Sequence, residues 1–155
     1  MTESDIAALE RVIFDRGHGS VWGNQFFSEL TAKELVVTRF FDSADPTRTL
    51  LTRTNQVLAP EEWPQLTAAI AALFPHLPPA KHRFRLFARK FFPAASDGAA
   101  YRRLTLFFRS GRKFRRFDTA LPACPESAAL EQMLEQMSLT RFAAESHTNN
   151  SKRKV

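Results

Sequence analysis

Residues 101–109, YRRLTLFFR, change side-chain character with a period of two. One parity holds Leu104, Leu106 and Phe108; the other holds Tyr101, Arg103, Thr105, Phe107 and Arg109. Successive side chains of an extended chain point to opposite faces, so this spelling predicts a strand with one apolar face and one basic, aromatic face. The stretch RFRLFARKFF at 83–92 has the same grain, with Phe84, Leu86 and Ala88 set against Arg83, Arg85, Phe87, Arg89 and Phe91. Carried past the turn at SGRK, the alternation places Phe114 with the apolar set and Lys113, Arg115 and Phe117 with the basic one. Ribbons of this kind need a second layer on their apolar side.

Two helical segments supply that layer. In APEEWPQLTAAIAALF, Trp63, Leu66, Ile70 and Leu73 recur at helical spacing, and ESAALEQMLEQMSLTRF puts Leu130, Met133, Leu134 and Met137 on one face. Glu61, Glu62 and Glu126 fall near the helix starts, where the backbone dipole favours carboxylates. Pro64 must lie in the first turn, where no hydrogen bond is lost. Earlier in the chain a short helical turn runs into a strand at about 10–16. QFFSEL and LVVTRFFD flank TAKE as a hairpin, and RTLLTRTNQVL at 48–58 reads as a further strand.

Strands, helix, strands, helix is the order of an α+β fold. It predicts an antiparallel sheet of about six to seven hairpin-connected strands with two main amphipathic helices packed on one face. A chain of 155 residues that is 44% hydrophobic, with 15 phenylalanines, has enough apolar surface for one independent core. The expected division is a single domain over 1–146 and a disordered basic tail over 147–155. This element order, with a glycine-bearing first loop at 17–24, resembles the layout of small inhibitor and immunity-type proteins, the emfourin inhibitors of metalloproteases among them.

The net charge of +6 is unevenly placed. Residues 81–117 carry 12 Lys+Arg and one acid, whereas residues 1–80 carry 6 Lys+Arg against 10 acids. Arginine offers a planar fork for carboxylates and phosphates and stacks on rings, so a face of arginine and phenylalanine suits three uses. Acids such as Glu29, Glu34 and Asp42 of the N-terminal strands can neutralise it within the sheet. An acidic protein partner or a second copy of the chain can dock on it, since arginine and aromatics are enriched at interface centres. RNA or single-stranded DNA can stack on it, although RLFARKFF lacks the glycines of the ribonucleoprotein signature. The site residues expected from this are Arg83, Arg85, Phe87, Arg89, Tyr101, Arg103, Phe107, Arg109 and Arg115.

Catalytic chemistry is poorly represented. Asp15, His18 and Ser20 are neighbours on one short stretch, an unfavourable arrangement for a relay in which the base bridges the other two. The glycines from Gly17 to Gly23 match no phosphate-binding pattern, though they leave His18 and Trp22 as candidates for a small-ligand loop. Cys124 precedes a helix whose dipole lowers thiol pKa values, and as the single cysteine it forms no intrachain disulfide. His76 and His82 bracket a proline-rich linker with no cysteine or acid at ligand spacing. The sequence therefore predicts a non-enzymatic cytoplasmic binding protein with no cofactor, no metal and no membrane segment. Its expected partner is protein, or alternatively nucleic acid, on the Arg/Phe face.

Overall fold

The computed structural model describes residues 3–18, 25–41, 51–77 and 100–151. The elements are α1 (Glu3–Ala7), β1 (Leu9–His18), β2 (Gln25–Thr31), β3 (Glu34–Phe41), β4 (Leu51–Val57), α2 (Glu62–Leu73), β5 (Ala100–Ser110), β6 (Lys113–Ala120) and α3 (Pro125–Ser151). Among the described residues, six strands form one antiparallel sheet in the order β4-β3-β2-β1-β5-β6. The first four form a meander. After α2 the chain rejoins the sheet on the free side of β1, so β1 lies between the two halves. The α+β architecture expected from the sequence is the one observed. Among the described residues, no helix is long and apolar enough to cross a bilayer.

The apolar face of the sheet is set by alternation. Val12, Phe14, Phe26, Leu30, Leu104, Leu106 and Phe108 are buried against Leu66, Ile70 and Leu73 of α2 and Leu130, Leu134 and Met137 of α3. Each such side chain contributes about 1.5–3 kcal/mol when fully buried. A bulge between the register pairs of Glu29 and Leu30 lets Leu35 and Thr38, three residues apart, both reach this core. Thr38 Oγ1 then sits 3.4 Å from Ser28 Oγ and 3.3 Å from Ser138 Oγ, and Ser138 donates to Leu134 O at 2.8 Å. That short polar thread fixes where α3 crosses β2 and β3.

Several boundaries differ from those read in the sequence, each for a local reason. β1 continues through Gly17 to His18, because a glycine there leaves room for the ring of Tyr101 on β5. A Cβ at Gly17 would stand 2.9 Å from the Tyr101 hydroxyl oxygen. The turn between β2 and β3 has two residues rather than four. Thr31 Oγ1 accepts from the Lys33 and Glu34 N–H groups at 3.3 and 3.2 Å and closes it early. α3 is helical to Ser151, into the stretch read as tail, and 152–155 lie outside the described residues.

The alternation expected to run on from β5 into β6 fails at the turn between them. Gly111, at φ +61°, and Arg112 form a two-residue turn that pairs Ser110 with Lys113. Residues directly opposite each other share a face, so the parity inverts across the turn. Arg115 and Phe117, expected on the basic face, lie instead with Phe108 and Leu106 on the helix side. Phe114, expected in the core, is 65% exposed.

Candidate functional site: the face of the sheet opposite the helices

The face opposite the helices is assembled from alternate residues of neighbouring strands. Asp15 of β1 stands between Phe27 of β2 and Arg103 of β5, and Arg11 stands between Thr31 and Phe107. Phe107 in turn pairs with Arg116 of β6, and Phe27 with Arg39 of β3. Guanidinium groups lie over the rings: Arg11 is 5.0 Å and Arg116 5.7 Å from the Phe107 centroid, Arg39 is 5.7 Å from Phe27, and Arg109 is 4.2 Å from Phe114. Stacking of this kind holds long side chains flat on the sheet and contributes about 0.5–1 kcal/mol at an exposed site.

The sheet also supplies counter-charges. Arg11 meets Glu29 at 3.2 Å, Arg109 meets Glu10 at 3.0 Å and Arg116 meets Asp118 at 2.8 Å. Asp118 also accepts from Thr105 Oγ1 at 2.6 Å. Asp15 accepts from the Tyr101 hydroxyl at 3.3 Å beside Arg103. Burial pushes the Asp15 carboxyl above its ordinary pKa, against the Tyr101 hydrogen bond and the Arg103 charge, which pull the other way. Burial, followed by the Asp15 charge, raises Tyr101 as well. Four of these arginines thus have a carboxylate beside them, and the bare cationic field is much reduced.

Of the expected site residues, Tyr101, Arg103, Phe107 and Arg109 are gathered on this face. Arg115 is not: its guanidinium covers the Phe108 ring at 4.9 Å and pairs with Asp5 of α1. Arg83, Arg85, Phe87 and Arg89 lie outside the described residues, as do Trp22 and the side chain of His18. Arg11, Arg39 and Arg116 complete the face without having been singled out from the sequence. The signal for them was register, since a strand's contribution to a face is readable only once its partner is known.

A cavity of about 690 Å³ lies at the end of the sheet, lined by Arg16, Gly17, Tyr101, Arg102, Arg103 and Leu121 among others. Two of its cations are committed elsewhere. Arg16 pairs with Glu131 and, at 2.5 Å, with Glu135, while Arg102 reaches Glu131 at 3.3 Å. These contacts clamp α3 to the sheet rather than leaving charge for an anion.

On the helix side the fold brings together three residues that are far apart in sequence. His76 follows α2, and Cys124 and Glu126 begin α3; their ligand atoms all lie within 4.8 Å of one another. His76 Nε2 is 3.5 Å from Glu126 Oε2. The Glu126 carboxyl is held below its ordinary pKa, chiefly by its own backbone N–H, with help from the Cys124 thiol and the His76 charge against the cost of burial. No spacing rule links position 76 to position 124, so only the packing of α2 on α3 reveals the group. No known protein family, curated protein or solved structure matches this chain.

Proposed function

We propose that the chain is a non-catalytic recognition protein of the cytoplasm that docks an acidic protein surface on the face of its sheet opposite α2 and α3. The supporting observation is the pairing of half-exposed rings with arginines whose charges are already partly met by Glu10, Asp15, Glu29 and Asp118. A partner bringing its own carboxylates and apolar groups exchanges these in-sheet pairs for intermolecular ones, and buries Phe27, Phe107 and Tyr101 as anchors. A phosphate backbone instead calls for uncompensated cations, because its affinity comes mainly from counterion release. The second reading, RNA or single-stranded DNA, is favoured by a separate observation: 12 Lys+Arg against one acid over residues 81–117.

The two readings separate in one comparison. Complexes formed by the tagged full chain in its cell of origin are sized alongside those of Phe107→Ala and Arg103→Glu, each first shown to fold. Loss of the complex in both variants, insensitive to nuclease and only weakly dependent on salt, is the expected result. Tight binding of a fluorescent oligonucleotide, weakened about 10³-fold or more between 50 and 200 mM salt, would transfer the face to nucleic acid. A complex that survives both substitutions would remove the face from either role.

A further inference from the structure

We infer that His76, Cys124 and Glu126 form a binding site for a divalent metal ion, and that the ion their donor set fits is zinc. An imidazole nitrogen, a thiolate and a carboxylate are the three ligand types zinc takes, at about 2.0–2.3 Å. In a tetrahedral arrangement those bond lengths place the donors roughly 3.3–3.7 Å from one another. The His76 and Glu126 atoms already stand at 3.5 Å, and all three donors fit within 4.8 Å.

A second observation points to a ligand. Glu126 Oε2 is shielded from solvent and accepts no hydrogen bond among the described residues, although the side chain as a whole is 34% exposed, and its close partner is the His76 ring nitrogen at 3.5 Å. An ion between the two would replace that long contact with a bond to each. The backbone beneath is also fixed. Ser127 Oγ donates to Pro122 O at 2.5 Å and approaches Cys124 O at 3.2 Å, Cys124 N–H donates to Pro122 O at 3.1 Å, and Cys124 O accepts the first helical hydrogen bond, from Ala128. The turn that presents the thiol is therefore built before any ion arrives. A bound ion ties the end of α2 to the start of α3, with water in the fourth position. Magnesium and calcium, which favour oxygen ligands, are poor competitors for such a set.

The test uses the full-length, untagged chain, reduced and stripped of metal. Cobalt(II) is added first as a spectroscopic substitute for zinc. Because Cys124 is the single cysteine of the chain, a thiolate-to-cobalt charge-transfer band can come from no other residue. One equivalent is expected to produce that band together with the strong visible bands of tetrahedral cobalt, and zinc is expected to abolish both. Zinc at about a hundredfold above its Kd should raise Tm by about 5–10 °C, where magnesium does nothing. It should also protect Cys124 from iodoacetamide. His76→Gln and Glu126→Gln are each expected to weaken binding by about tenfold or more. Absence of the thiolate band in the wild-type chain would overturn the assignment, as would a band of undiminished affinity in both variants. The protection experiment needs no variant and stands even where a substitution impairs folding.

Discussion

Leu106→Asp is expected to leave the chain unfolded without denaturant, whereas Phe107→Asp, one residue later, is expected to cost only about 1–2 kcal/mol. Leu106 is wholly buried, between Val12 on β1 and Phe117 on β6, and faces both helices. Removing it costs about 2–5 kcal/mol in lost packing, and a carboxylate in its place adds several more for burial without a partner. Against a total stability of about 5–15 kcal/mol for a domain, that sum is decisive. Phe107 is half-buried on the other face, beneath the guanidinium groups of Arg11 and Arg116. An aspartate there loses ring contacts and gains two cationic neighbours. Urea titration followed by circular dichroism reads both variants. Equal destabilisation of the two would mean that the face opposite the helices is covered.

The second large effect is expected at Glu131, where one carboxylate serves two arginines from different strands. Its side chain is 13% exposed; those of Arg16 and Arg102 are 27% and 33% exposed. Glu131→Ala strands two partly buried cations at the seam between α3 and the sheet. Removing one partner of a fully buried pair costs about 3–5 kcal/mol. Water reaches these guanidinium groups and Glu135 still holds Arg16, so about 2 kcal/mol is the expected loss here. By calorimetry that corresponds to a Tm lower by about 4–8 °C. Glu131→Gln, which keeps an acceptor, should lose less, and Gln132→Ala, exposed on the same helix, should lose almost nothing. Alanine is the better helix former at both positions, so propensity predicts no loss, and a fall for Gln132→Ala equal to that for Glu131→Ala would show that the effect is not specific to the clamp.

The layers of the fold were legible because they rest on periodicity. The leucines of β5 and the Leu66–Ile70–Leu73 and Leu130–Leu134–Met137 stripes declare their inward faces whatever they pack against. Parity held within β5 and failed in β6, because the geometry of a two-residue turn, not the letters of the strand, decides which face comes next. The basic face was legible as composition but not as electrostatics. Glu29 pairs with Arg11 of its neighbouring strand, while the second-half arginines find Asp5, Glu10, Asp15, Asp118 and Glu131, partners fixed by register and by the docking of α1 and α3. The His76–Cys124–Glu126 group was invisible for the same reason: forty-eight positions separate His76 from Cys124, and only helix packing brings them together.

The proposed recognition role of the face opposite the helices is tested most directly by hydroxyl-radical footprinting of the chain in its captured complex, measured against the free chain. Oxidation of Tyr101, Phe107 and the exposed Phe114 is expected to fall several-fold on binding, while Trp63 and Met133 on the helix side keep their free rates. Protection of Trp63 and Met133, with Tyr101, Phe107 and Phe114 oxidised as in the free chain, would contradict it.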